Sequence, residues 1–222
     1  MCKYSLYINK FCDPPLDAVQ SGTESYKISL MKLILASTSP YRKALLERLQ
    51  VDFACDSPDI DESPLAAESV QDTVVRLAKF KAEAVAGKYP DALIIGSDQS
   101  AVLDGETLTK SGNFENAVKQ LQKASGKRIV FQTGLCLLNT TTGHSQTACV
   151  PYTVVFKSLT RYMIEHYLKK EEPYNCAGSF KSEGLGIALF EKFDGEDPNA
   201  LIGLPLIKLI EMLDNEGFSV LG

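Results

Sequence analysis

The chain has 222 residues, 45% hydrophobic and 23% charged, with a formal net charge of -5. That is the make-up of an ordinary globular protein of one large domain or two small ones, able to bury about 70% of its unfolded surface. The acidic balance excludes a nonspecific binder of nucleic acid polymers, which presents a basic face, and no apolar run approaches the length of a membrane span.

Residues 1–30 contain no signal-peptide core, since Tyr7-Ile8 is interrupted at once by Asn9 and Lys10. Pro14-Pro15, Ser21-Gly22 and Thr23-Glu24-Ser25 lack periodicity. The segment reads as an N-terminal extension, flexible or non-native, ahead of a domain spanning 31–222. Leu33-Ile34-Leu35-Ala36 then forms a short apolar strand that feeds into Ser37-Thr38-Ser39-Pro40-Tyr41-Arg42-Lys43. Ser39 suits an N-cap and Pro40 the first helical position, with Ala44, Leu45, Leu46 and Leu49 as the apolar stripe. A strand joined to a helix in this way offers unpaired N–H groups and the positive end of the helix dipole to an anion. Three hydroxyls and two cations in the same turn make phosphate the natural ligand; the alternative is an ordinary capped helix with solvated charges.

Val51–Cys55 reads as a short alternating strand, followed by the acidic loop Asp56-Ser57-Pro58-Asp59-Ile60-Asp61-Glu62-Ser63-Pro64. Ser69 with Asp72 resembles a capping box for a long helix that Gly87 and Pro90 end. Ala92-Leu93-Ile94-Ile95-Gly96 is a buried strand leading into Ser97-Asp98-Gln99, with a hairpin near Asp104-Gly105. Asn113 caps a helix that stops near Gly126; residues 128–156 form a hairpin turning at Thr140–Gly143, with Val150, Tyr152, Val154 and Phe156 alternating on its second arm. Thr160 starts another helix, and residues 205–213 have helical spacing. The expected class is α/β, a mixed sheet with flanking helices and two lobes around a cleft.

Within this frame Asp98 ends a buried strand, where ligands gather in open α/β sheets; it could hold Mg²⁺, take a proton from water, or only cap the next turn. Glu62, beside Asp59 and Asp61, could help hold a hard cation or simply be solvated. Lys79 and Lys81 are two residues apart, so at most one points into a cleft. Lys110, after the hairpin, could reach a phosphate or simply be a solvated surface lysine. The glycine-interrupted segment Tyr174–Gly184 suits close approach of backbone to a ligand, and equally a tight connector. Cys2, Cys12, Cys55, Cys136, Cys149 and Cys176 show no CxxC spacing, and with only His144 and His166 the pattern does not point to zinc. The cysteines read as small core residues of a reducing cytoplasm.

Six separated segments, LILASTSPYRKALLERL, DIDESP, LAKFKAEAVA, ALIIGSDQ, CAGSFKSEGLGIALFE and DPNALIGLPL, are together similar, in this order, to the Maf nucleotide pyrophosphatases. The resemblance covers the chain from Met31 onward. It implies an elongated mixed α/β fold of Maf/ITPase type with a deep cleft. It also implies hydrolysis of nucleoside triphosphates between the α- and β-phosphates with Mg²⁺ or Mn²⁺. By the match, Asp98 takes the catalytic acid–base position and Ser37, Arg42 and Lys43 the phosphate-binding turn. Glu62, Lys81 and Lys110 take charged positions lining the cleft, with Glu62 and Asp98 as the metal pair. Two departures stand out: the family often has two arginines where this chain has Arg42 and Lys43, and Gly-Lys-Pro where it has Thr109-Lys110-Ser111.

Tyr41, Gln99 and Glu183 fall on the positions that separate the family's branches, and the set resembles the branch acting on 7-methyl-GTP. A methylated, positively charged guanine suits an aromatic face and a carboxylate. Alternatives left open are another canonical or modified nucleotide of the dTTP, UTP or CTP kind, and a non-catalytic nucleotide-binding regulator of cell division. Family likeness also makes a homodimer an expectation.

Overall fold

The apolar run near the start of the domain becomes β1 (Lys32–Ala36), flanked in parallel by β2 (Phe53–Asp56) and by the first part of β3 (Ala92–Leu103). The computed structural model describes residues 31–222, which form one unit; the expectation for residues 1–30 lies outside the described residues. Beyond β3 the sheet is antiparallel, through β5 (Arg128–Asn139), β6 (Ser145–Phe156) and β7 (Phe190–Asp194). The order is β2-β1-β3-β5-β6-β7, with the short β4 (Glu106–Leu108) also on β3. This is the mixed sheet expected from the sequence.

Among the described residues five α-helices flank it: α1 (Pro40–Glu47), α2 (Val70–Ala86), α3 (Phe114–Ala124), α4 (Arg161–Glu171) and α5 (Leu206–Asn215). Ser39, Ser69, Asn113 and Thr160 each cap a helix by accepting a backbone N–H three residues on. Strand alternation divides the packing. Leu33, Leu35, Leu93 and Ile95 meet Leu45 and Leu46 of α1 and Leu209, Met212 and Leu213 of α5. Ile34 and Ile94 face Ala78, Ala82 and Val85 of α2. The long ends of β3, β5 and β6 pack with α3 and α4 around Leu121, Phe156 and Ile164.

One expectation is corrected. β3 does not stop at Gly96 but continues through Ser97-Asp98-Gln99 to Leu103. Its far edge pairs with β5 continuously from Leu93 to Val102. Its near edge is split: β1 covers Lys32–Leu35 against Ala92–Ile95, and β4 takes over only at Ala101. Residues 96–100 therefore border a gap in the sheet where β1 ends and α1 begins. Asp98 sits in that gap, inside a strand rather than at its end.

Two glycines let α2 lie directly on the strands behind the gap. A Cβ at Gly96 would sit 1.9 Å from the Ala78 carbonyl oxygen, and one at Gly134, the β5 partner of Asp98, 2.1 Å from that of Val74. Any side chain at either position would push the helix away. Among the described residues no helix is long and apolar enough to cross a membrane.

Candidate active site

The gap opens into a cavity of about 630 Å³, within the usual range for small-molecule sites. Its first wall is the turn from β1 into α1. Ser37, Ser39, Tyr41 and Arg42 line it. The expected row of free amides is mostly occupied within the turn. Ser39 N–H donates to Ser37 Oγ (3.1 Å), Arg42 N–H to Ser39 Oγ (3.4 Å) and Lys43 N–H to the Ser39 carbonyl (3.1 Å), while Pro40 has no N–H. Anion binding at this wall falls to side chains and to the helix dipole, not to a nest of amides.

Arg42 is half-buried, and its Nε donates to the Gly203 carbonyl at 2.8 Å. The same carbonyl accepts from Ser97 Oγ at 2.9 Å, so one backbone oxygen fixes both the guanidinium and the strand beside Asp98. Burial lowers the Arg42 pKa, opposed by the charges of Asp98 and Glu62. Lys43 departs from the expectation. It is exposed, its Nζ lies 3.7 Å from Glu47 one helical turn on, and it does not line the cavity. Adjacent helical residues point about 100° apart, so Arg42 facing the gap turns Lys43 outward.

The second wall is α2 with the acidic loop. Of the two lysines, Lys81 enters: it is only 6% exposed, and its Nζ lies 2.6 Å from Asp98 Oδ1 and 2.7 Å from Glu62 Oε1. Lys79 pairs outside with Glu83. Hydrogen bonding from Lys81 leads in holding the Glu62 carboxyl below its ordinary range against desolvation, and Arg42 and Lys110 act in the same direction. The loop that brings Glu62 in is clamped by Arg76, which grips Glu68 through Nε (2.6 Å) and Nη2 (2.7 Å) and donates to the Ser63 carbonyl (3.2 Å). This clamp was not read from the sequence; an arginine eight residues after a glutamate carries no local signal.

Lys110 comes from the end of β4, where its backbone bridges Ala177 and places the 174–184 segment across the cavity. Ser111 beside it is buried, and its Oγ has no hydrogen-bond partner among the described residues. The remaining expected residues are Gln99, Tyr41 and Glu183, all of which line the cavity. Gln99 donates to Thr133 Oγ1 and to the Ala200 and Leu201 carbonyls. Tyr41 is 37% exposed, with its hydroxyl 3.9 Å from Cys176 Sγ. Burial first, then Cys176 and Glu183, push that phenol up to about 12, so it stays neutral at any physiological pH. Glu183 is exposed at the rim and accepts from Ser182 Oγ at 3.3 Å.

The cavity thus gathers Arg42, Lys81 and Lys110 against Glu62, Asp98 and Glu183, three charges of each sign. A triphosphate tail entering this balanced set calls for further positive charge. Asp98 and Glu62 are the donors suited to a hard divalent ion, because each gives one oxygen to Lys81 and keeps a second. Two carboxylates completed by phosphate oxygens are a common Mg²⁺ site, and among the described residues no group of three or more His, Cys, Asp or Glu could hold a metal alone. The donor set fits a hard divalent ion that takes its remaining oxygens from a bound ligand.

The sheet is thus split at its centre, with a cation-bearing turn on one side and a carboxylate–lysine pair on the other, an arrangement whose charges suit a phosphate-bearing ligand. The model of the family described as "Maf-like protein" matches residues 32–216, and the chain belongs to that family. It is 57% identical over 188 residues, 85% of this chain and 98% of the relative, to the "7-methyl-GTP pyrophosphatase" of Pseudomonas syringae pv. tomato (strain ATCC BAA-871 / DC3000). Among solved structures it resembles that of a HAM1 protein from Coxiella burnetii at 13% identity. That match covers 57% of this chain and 73% of the other with a TM-score of 0.36, too slight to bear on fold or function.

Proposed function

We propose that the chain is a nucleoside triphosphate pyrophosphatase that hydrolyses 7-methyl-GTP to 7-methyl-GMP and pyrophosphate. The observation that carries this reading is the shared cavity: Asp98, tied to Lys81 at 2.6 Å, opens onto the same space as Ser37 and Arg42. The extent of identity to a 7-methyl-GTP pyrophosphatase supports the substrate, together with an aromatic residue, an amide and a carboxylate at Tyr41, Gln99 and Glu183.

In this mechanism Arg42, Lys81 and Lys110 hold the phosphates and Ser37 hydrogen-bonds them. Asp98 accepts the proton of a water whose oxygen attacks the α-phosphorus. The bond from that phosphorus to the oxygen bridging the β-phosphorus breaks, and the electron pair leaves with pyrophosphate. Lys81 orients Asp98 through Oδ1 and leaves Oδ2, with two lone pairs, for both the water and a bound ion, and Lys81 and Arg42 stabilise charge that builds on the bridging oxygen. A divalent ion, Mg²⁺ or Mn²⁺, held by Asp98 and Glu62 would supply charge neutralisation for the phosphates. The cysteines described, Cys55, Cys136, Cys149 and Cys176, are free thiols, consistent with work in a reducing cytoplasm.

The test is pyrophosphate release from a panel of 7-methyl-GTP, GTP, dTTP, UTP and CTP by wild type and Asp98→Asn. Wild type should turn over 7-methyl-GTP best, and the variant should lose about 10²- to 10⁴-fold in kcat with its fold intact. Near-wild-type turnover by Asp98→Asn refutes the base; preference for a pyrimidine refutes the substrate.

A further inference from the structure

Beside the main cavity lies a smaller one of about 170 Å³ that the mechanism does not use. It shares Ser182, Glu183, Leu201 and Ile202 with the main cavity, so the two adjoin, and Tyr152 and Phe193 complete its lining with Pro198. The Tyr152 and Phe193 rings stand 6.2 Å apart between centroids at 43°, forming an aromatic corner rather than a flat stack. Each is held from behind. Phe193 packs edge-on against Phe190, with centroids 5.2 Å apart. The backbone at Gly195 lies so close to Tyr152 that a Cβ there would be 2.3 Å from the ring.

Two angled aromatic faces with a carboxylate at the mouth are the chemistry of a site for an N-alkylated cation. A neutral purine gains only apolar contact there. A ring made positive by alkylation gains attraction to both π-faces and to Glu183. We infer that this side cavity receives the N7-methyl edge of the substrate base, and that Tyr152 and Phe193 distinguish 7-methyl-GTP from GTP. The inference rests on the pyrophosphatase reading and deepens it. It assigns recognition of the methyl group to β6 and β7, two and three strands across the sheet from the Asp98 strand, with Tyr41 and Gln99 bordering the base from the main cavity.

The experiment compares kcat/KM for 7-methyl-GTP and GTP in wild type, Phe193→Leu and Phe193→Tyr. Removing the ring should lower the preference for 7-methyl-GTP by about three- to thirty-fold while GTP is nearly unaffected, and Phe193→Tyr should keep the preference. If Phe193→Leu leaves the wild-type preference unchanged, or lowers both substrates alike, the side cavity does not read the methyl group, although the hydrolase reading stands. If wild type shows no preference for 7-methyl-GTP, both readings fall. A measurement on wild type alone avoids any folding defect. The cavity has room beyond a methyl group, so 7-ethyl-GTP should be hydrolysed with a kcat/KM close to that of 7-methyl-GTP. Rejection of the ethyl analogue overturns the assignment.

Discussion

The two ends of the cavity are built differently. At the end proposed to hold the phosphates, Asp98 and Lys81 come from the middle of a strand and the middle of a helix, both less than a tenth exposed, and glycines let α2 lie directly on the strands. At the end proposed to hold the base, Tyr41 and Glu183 are exposed side chains on a helix start and a loop, with the apolar side cavity beside them. Rigid elements carry the groups whose placement to a fraction of an ångström decides the rate. Exposed positions carry the groups whose change redirects substrate choice while the chemistry stays. The contrast implies that damage at the first end removes turnover, and damage at the second end shifts preference.

The largest effect that can break this contrast is the loss of turnover expected for Asp98→Asn; a comparable kcat loss from a change at Glu183 would show that the two ends are not separable. Next comes Gly134→Ala, a change at no ligand contact. The new methyl would meet the Val74 backbone, so α2 must shift and carry Lys81 with it. A stability loss of about 3 kcal/mol in urea unfolding is expected, together with a lower kcat in the fraction that still folds. An alanine tolerated there on both counts would mean that α2 does not set the Lys81–Asp98 distance.

Glu183→Ala should act at the other end. Losing one partly exposed carboxylate beside a cationic base should lower the ratio of kcat/KM for 7-methyl-GTP over GTP on the order of tenfold, with kcat for GTP unchanged. A lower kcat for both nucleotides would place Glu183 with the chemistry instead.

Much of this arrangement is legible in the chain because its signals are local. Ser39, Ser69, Asn113 and Thr160 mark helix starts by side-chain chemistry alone, and each caps as expected. The spacing of Lys79 and Lys81 puts one of them inside, as found. Arg42 and Lys43 are adjacent, about 100° apart around the helix, so they too cannot share a face, yet clustered charge and family likeness drew both toward phosphate. The length of β3 is not local information. Ser97-Asp98-Gln99-Ser100 breaks the apolar run where Asp98 and Gln99 line the cavity, and only pairing with β5, more than thirty residues on, keeps the segment in the strand. The Gly203 carbonyl is equally hidden: Gly203-Leu204-Pro205-Leu206 reads as a helix start, and nothing nearby tells that its backbone holds Arg42 and Ser97.

The smallest effect concerns the clamp behind the phosphate end. Glu68 is held to about 2, well below its ordinary 4.5, chiefly by hydrogen bonding from Arg76 against some desolvation, with Thr73 and the Leu65 N–H adding to the pull. A carboxylate with a depressed folded-state pKa contributes stability that is fully present above its unfolded value. That contribution fades as pH falls through the interval from 4.5 to about 2. Glu68→Gln removes the titration and keeps the shape. The variant should be less stable than wild type at neutral pH, and the difference should narrow as the solution is acidified across that interval, as read from urea unfolding at a series of pH values. Because Arg76 also donates to the Ser63 carbonyl, next to Glu62, the variant should lose some kcat at neutral pH with little change in the preference between 7-methyl-GTP and GTP. A gap between the two proteins that stays constant with pH would show that Arg76 holds the loop by shape rather than by charge. A changed preference would join the clamp to the base end and dissolve the separation between the two halves of the cavity.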